Sequence, residues 1–162
     1  MDKISLKILK ILQKKARIPN VEVARQVGMA PSAVLERIRK LEKSGLIDGY
    51  EVRLNPERVG KSQVAFIQIR TSGGSDQDKL VEALTAIAQI QEIHFVAGRY
   101  SYLLKIREND TKALGRLVRE RIASLDGVVS TETTIVMDTF KETARIPIDD
   151  SQFIQNHNEV QK

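Results

Sequence analysis

Arg37, Arg39, Lys40 and Lys43 recur at helical spacing in a stretch that also holds Ser32 and Glu36. Residues three and four apart stand on one side of a helix. With Val34 at the centre of the buried face and 100° per residue, Ser32, Glu36, Arg39 and Lys43 point directly away from the core. Ala33 and Lys40 flank them, and Arg37 falls nearer the buried edge. Such a face suits a polyanion: ammonium and guanidinium groups neutralise phosphates, while hydroxyl, carboxylate and guanidinium groups can meet base edges. The expectation is base contact by Ser32, Glu36 and Arg39, and phosphate contact by Lys40, Lys43 and Arg37.

Other chemistry has little to stand on. The two histidines, His94 and His157, are far apart in the chain, and there is no cysteine to serve as nucleophile, thiolate ligand or disulfide. The carboxylates are scattered without an evident pair, and Gly73-Gly74-Ser75 is not followed by the lysine of a phosphate loop. No catalytic residue, metal site or cofactor is expected, and His94 reads as a strand residue.

The charge is unevenly distributed. The chain has 162 residues, 41% of them hydrophobic, and a net charge of +5. Residues 1–61 carry 14 Lys and Arg against 7 Asp and Glu, whereas residues 62–162 carry 12 against 14. Polyanion binding is therefore expected in the first third. No apolar run reaches the length of a membrane span, and Asp2, Lys3, Lys7 and Lys10 stand where a signal peptide would be apolar. A soluble cytoplasmic protein is expected.

The elements that must position the basic face follow from periodicity. Asp2 can cap a helix with Ile4, Ile8, Leu9, Ile11 and Leu12 on one stripe and Lys3, Lys7, Lys10 and Lys14 outward. A short second helix is expected from the cap candidate Asn20 to Val27, with Val21, Ala24 and Val27 inward and Gly28 as its left-handed stop. Pro31 suits the first turn of a third helix buried through Val34, Ile38 and Leu41. Two short helices joined by a tight glycine turn form a helix-turn-helix, whose second member enters the major groove of double-stranded DNA. The competing reading is a solvated face of a plain three-helix bundle. The conjunction of glycine turn, proline-started helix and segregated charge favours DNA. Residues 50–54 then alternate as a strand whose partner must lie elsewhere, such as the same strand of a second copy. The best domain boundary lies over residues 56–61.

The remainder reads as strand, helix, strand, repeated once. Strands are expected over residues 63–71, 93–97, 100–107 and 128–140, and helices over 76–88 and from Asp110 or Thr111 to Asp126-Gly127. The order βαββαβ is the ferredoxin-like split unit, and its uncovered, partly apolar sheet face predicts burial against a second copy. The fold class is thus α+β: a helix-turn-helix domain (1–61), a βαββαβ domain (62–142) and a polar, loosely ordered tail (143–162).

Particular motifs carry a closer resemblance. Ile8-Leu9-Lys10-Ile11-Leu12-Gln13, Asn20-Val21-Glu22-Val23-Ala24, Val27-Gly28-Met29, Arg37-Ile38-Arg39-Lys40-Leu41-Glu42, Gly45-Leu46-Ile47-Asp48-Gly49-Tyr50 and Gly98-Arg99-Tyr100-Ser101-Tyr102-Leu103-Leu104 resemble the Lrp/AsnC family of regulators. The resemblance covers nearly the whole chain to about residue 145. It implies a winged helix-turn-helix, a ligand-binding domain, homodimers assembling to an octamer or similar ring, and amino acids or related metabolites as effectors. Carried over by position, the effector site falls on Ala97, Gly98, Arg99, Tyr100, Ser101 and Tyr102. Ser101 stands where the family pattern usually has Asp, and Ala30 where it usually has a Ser or Thr cap. The alternative for residues 98–102 is an ordinary turn packed at a subunit interface. The alternative function is a non-specific architectural DNA-binding oligomer without an effector, and a metabolite-binding enzyme subunit is the third, disfavoured by the missing catalytic groups.

Overall fold

Helix α1 (Lys3–Lys14) starts where the Asp2 carboxylate accepts the Ser5 backbone N–H at 2.7 Å. That bond satisfies one of the free amides of the first turn. The computed structural model describes residues 1–73 and 76–149. Gly74, Ser75, His157 and most of the expected tail lie outside them. The described chain forms two compact units, one of residues 1–53 with 142–149, the other of the described residues within 54–141.

In the first unit, Ile8, Leu9 and Leu12 of α1 meet Val23 and Ala24 of α2 (Asn20–Val27) and Val34, Ile38 and Leu41 of α3 (Pro31–Lys43). Gly28 ends α2 at φ 71°, a left-handed conformation open to glycine at little cost. The inward stripe of α2 differs from expectation. Val23 is fully buried, while Val21 is 66% exposed. Pro19 is the flanking cap residue and Asn20 already helical, so the stripe runs Val23, Ala24, Val27.

The strand expected over residues 50–54 does not form in the single chain. Val52 and Leu54 are exposed, and the Tyr50 hydroxyl turns back to donate to the Glu42 carboxylate at 2.9 Å. An extended segment becomes a strand only beside another hydrogen-bonding backbone. Residues 142–149 also depart from the loosely ordered tail that was expected. They fold back on α1, where Ile148 packs on the helical core.

In the second unit, β1 (Gln63–Thr71), β2 (Ile90–Phe95), β3 (Tyr102–Glu108) and β4 (Val128–Ile135) form one antiparallel sheet in the order β2-β3-β1-β4. Helices α4 (Gln77–Thr85) and α5 (Thr111–Leu117) each begin at an aspartate cap, Asp76 and Asp110. A π-helical turn, Val118–Ile122, continues α5. The helices cover the face carrying Ala65, Ile67, Ile69, Leu104 and Ile106, with Leu80, Leu84, Leu114 and Ile122 packed onto it. This is the ferredoxin-like arrangement.

Strand β4 ends at Ile135 rather than Phe140. Its neighbour β1 begins at Gln63, so the Val136 N–H bonded to the Val64 carbonyl at 3.0 Å is the last rung available. Met137 and Phe140 beyond it are each 94% exposed. The connecting segment joins the second unit before β1: Lys61 Nζ donates to the buried Glu108 carboxylate at 3.0 Å, and Arg107 donates to the Lys61 carbonyl. The units accordingly divide at residue 53 rather than over 56–61. Among the described residues no helix is long and apolar enough to cross a membrane.

Candidate nucleic-acid interface and ligand loop

The buried triplet Val34, Ile38 and Leu41 fixes the rotation of α3 about its axis, and Ser32, Glu36, Arg39, Lys40 and Lys43 are all exposed on the other side. No carboxylate among the described residues lies within ion-pair distance of Arg39, Lys40 or Lys43. Glu42, next along the helix, is engaged by Tyr50. Leu35, which periodicity did not single out, is 36% exposed at the edge of this surface. Its signal in the sequence is an apolar residue one step off the buried stripe.

Arg37 is placed differently from the other cations. It is half-buried, and its guanidinium donates to the Asp2 carboxylate and to the Ser5 hydroxyl, the latter at 3.1 Å. It thus ties α3 to the capped start of α1. The Ser5 amide and then the Arg37 guanidinium hold the Asp2 carboxyl down at about 2.

Residues 97–102 lie together at one end of the sheet. The Val96 N–H donates to the Ser101 carbonyl at 2.9 Å and the Ser101 N–H to the Ile69 carbonyl at 2.8 Å, closing the β2–β3 turn onto β1. Ser101 and Thr71 hydroxyls are bonded at 2.8 Å. Gly98 takes φ 135°, where any L side chain is strained although no atom crowds the position. Arg99 lies over the Tyr100 ring, 5.6 Å from its centroid. The Tyr100 hydroxyl donates to the Glu132 carboxylate on β4, which pushes its pKa up. Tyr102 is buried, with the exposed Phe95 ring edge-on at 5.5 Å. The six residues therefore divide: Ala97, Gly98 and Arg99 exposed at the apex, Tyr100 and Ser101 bonded to neighbouring strands, Tyr102 in the core.

Sequence reasoning missed Thr71 and Glu132, which approach the loop from distant positions, and a groove of about 390 Å³ that includes Leu114, Gly115, Val118, Thr131, Thr133 and Ile135. The glycine within α5 was its one signal. His94 is exposed on β2, its ring nitrogen 3.2 Å from Glu92. No group of three metal-ligating side chains occurs among the described residues.

Comparison with known proteins agrees with this geometry. Residues 64–146 match the profile of the Lrp/AsnC ligand binding domain, and residues 1–48 that of a winged helix-turn-helix DNA-binding domain. The chain is 39% identical over 150 residues to the leucine-responsive regulatory protein of Escherichia coli, covering 91% of this chain and 92% of that one. The Klebsiella pneumoniae protein of the same name gives the same figures. A Neisseria meningitidis transcriptional regulator in complex with L-methionine superposes with a TM-score of 0.88 at 28% identity, over 91% of this chain and 96% of that one. The AsnC protein of Escherichia coli superposes with a TM-score of 0.83 at 26% identity, over 91% and 99%.

Proposed function

This chain belongs to the Lrp/AsnC family of DNA-binding transcriptional regulators with a ligand-binding domain, and from that premise we propose that α3 reads a specific duplex while the loop at 97–102 senses an amino acid. One observation carries the first half: a helix locked by Val34, Ile38 and Leu41 that keeps Arg39, Lys40 and Lys43 exposed and free of ion pairs among the described residues. Cations held ready in this way displace counterions from DNA phosphates without first breaking a bond of their own. Ser32, Glu36 and Arg39 read base edges, Lys40 and Lys43 hold the backbone, and Arg37 orients the helix through Asp2 while reaching toward phosphate at its edge.

The second half rests on the loop. Gly98 lets a ligand approach the backbone, and the polar groups of Arg99, Tyr100 and Ser101 are of the kind that meet an ammonium and a carboxylate. The likeness to a regulator in complex with L-methionine supports an amino acid as the class. The working form is a cytoplasmic homo-oligomer without catalytic turnover. A dimer forms by pairing of the extended segments at 50–54 and by cover of the sheet face that carries Phe66 and Leu103, and dimers assemble further toward an octamer.

The test is the dependence of duplex affinity on salt, for a duplex selected from a random pool and for its scrambled counterpart. A steep linear fall of log affinity with log salt, with the selected duplex held at least about a thousandfold tighter, is the expected result. A flat response refutes DNA binding by this face. A steep response with equal affinities supports the architectural alternative instead.

A further inference from the structure

The first unit contains a piece of chain that its sequence position would not assign to it. Gln13, near the end of α1, uses both ends of its carboxamide on one residue: Nε2 donates to the Ile146 carbonyl at 3.1 Å, and Oε1 accepts the Ile146 N–H at 2.8 Å. An amide side chain gives and takes through two separate atoms of one planar group; a carboxylate accepts but cannot donate. One residue earlier, the Arg145 N–H is turned by the Thr143 hydroxyl at 3.1 Å. One residue after Pro147, Ile148 packs on the cluster formed by Ile8, Leu9, Leu12, Val34, Ile38 and Leu41. The clasp and the apolar anchor are independent, and both fix residues 142–149 on the DNA-binding helices.

The chain therefore crosses between its two units twice. On the way out, fifteen residues separate Ile47, the last half-buried contact of the helical core, from the start of β1 at Gln63. On the way back, ten residues separate the end of β4 at Ile135 from the clasp at Ile146. The return is the shorter tether, and it begins on the strand that holds Glu132, the partner of the Tyr100 hydroxyl in the ligand loop.

We infer that residues 142–149 are a strap, clasped by Gln13 and anchored by Ile148, through which a change at the ligand loop, passed to β4 by the Tyr100–Glu132 bond, reaches the DNA-binding helices. Gln13 is a positioning residue: it lies on α1, outside the outward face of α3, and sets where α1, and so α3, is held. The strap itself rests on the contacts above; what it transmits rests on the reading of residues 97–102 as the effector site.

A double-mutant cycle on the full chain tests this, with Gln13→Leu removing the clasp, Tyr100→Phe removing the bond to Glu132, and the pair combined. Affinity for a selected duplex is measured at one salt concentration, with mass and melting temperature recorded for each variant. Gln13→Leu is expected to weaken binding about tenfold at unchanged mass, and Tyr100→Phe to shift affinity about threefold in the intact chain but hardly at all in the leucine background. A merely structural role for Gln13 gives equal Tyr100→Phe shifts in both backgrounds. That additivity, no effect of Gln13→Leu, or no effect of Tyr100→Phe in the intact chain each overturns the inference. Gln13→Glu keeps the acceptor, loses the donor and carries the same cycle if the leucine variant does not fold. A melting shift of the intact chain with L-methionine or L-leucine tests the effector reading separately, because the duplex cycle uses no ligand.

Discussion

The outer face of α3 and the loop at 97–102 are both polar surfaces, and they handle their polar groups in opposite ways. On α3 the cations Arg39, Lys40 and Lys43 stand exposed without ion pairs among the described residues. In the loop nearly every polar group is already committed: Ser101 to Thr71 and Ile69, Tyr100 to Glu132, Arg99 to the Tyr100 ring. A polyanion with many repeated charges is met by charges left open, whereas one small molecule is met by groups that hold each other until it displaces them. On the proposed reading the first surface would gain affinity from counterion release and the second selectivity from exchange of bonds.

The comparison can be broken first at its DNA side. Replacing Arg39, Lys40 and Lys43 together by alanine should weaken duplex binding about a hundredfold at moderate salt and flatten the log–log salt slope by about 1.8, since Lys40 and Lys43 are the phosphate contacts and each contributes about 0.9. Melting temperature should hardly move, because all three side chains are exposed. An unchanged slope, read by titration at several salt concentrations, would count against the open-charge half of the contrast.

The loop side is sharpened by Gly98→Val. At φ 135° a β-branched residue costs about 1–3 kcal/mol, so the melting temperature should fall by several degrees and any shift produced by an amino acid should vanish. Duplex affinity at fixed salt should change much less. If the variant melts like the parent, the loop does not hold its shape through Gly98.

The smallest expected effect is at Asp2, where the DNA-binding unit does contain a committed ion pair. Its carboxyl is held at about 2, below the ordinary 3.8, by the Ser5 amide first and the Arg37 guanidinium second. A depressed folded value means stabilisation that is present above about pH 4 and is lost as pH falls through 2. The side chain is 52% exposed, so solvent screening reduces the contribution to about 1 kcal/mol. Acid unfolding followed by circular dichroism should show Asp2→Ala less stable than the parent at neutral pH, with the difference closing toward pH 2. A gap that persists undiminished at pH 2 would assign the effect to packing rather than charge.

Where local pattern decides structure, the sequence was readable. The aspartate at position 2, the glycine at 28 and the proline at 31 each occupy the cap, stop or first-turn position that their chemistry suits, and β1 alternates from Ala65 onward. The outward set on α3 follows from Val34 alone once the period is known. The misreadings have a common physical origin in partners that are remote along the chain. Val21 and Val23 compete for the same face of an eight-residue helix, and only the packing of α1 and α3 selects between them. Residues 50–54 alternate well but have no neighbouring backbone in the single chain. The roles of Thr71 and Glu132 depend on bonds spanning 30 and 32 residues, and that of Gln13 on one spanning 133. No window of local periodicity registers such distances.

The double crossing of the chain also bears on how such proteins can be recombined. A gene fusion that borrows the first 53 residues takes all three helices but leaves Ile148 behind, so it exposes part of their apolar core and strands the Gln13 carboxamide. Exchange of DNA specificity between relatives built in this way requires two cuts and two grafts, one at each terminus, if the transplanted reader is to keep its native footing.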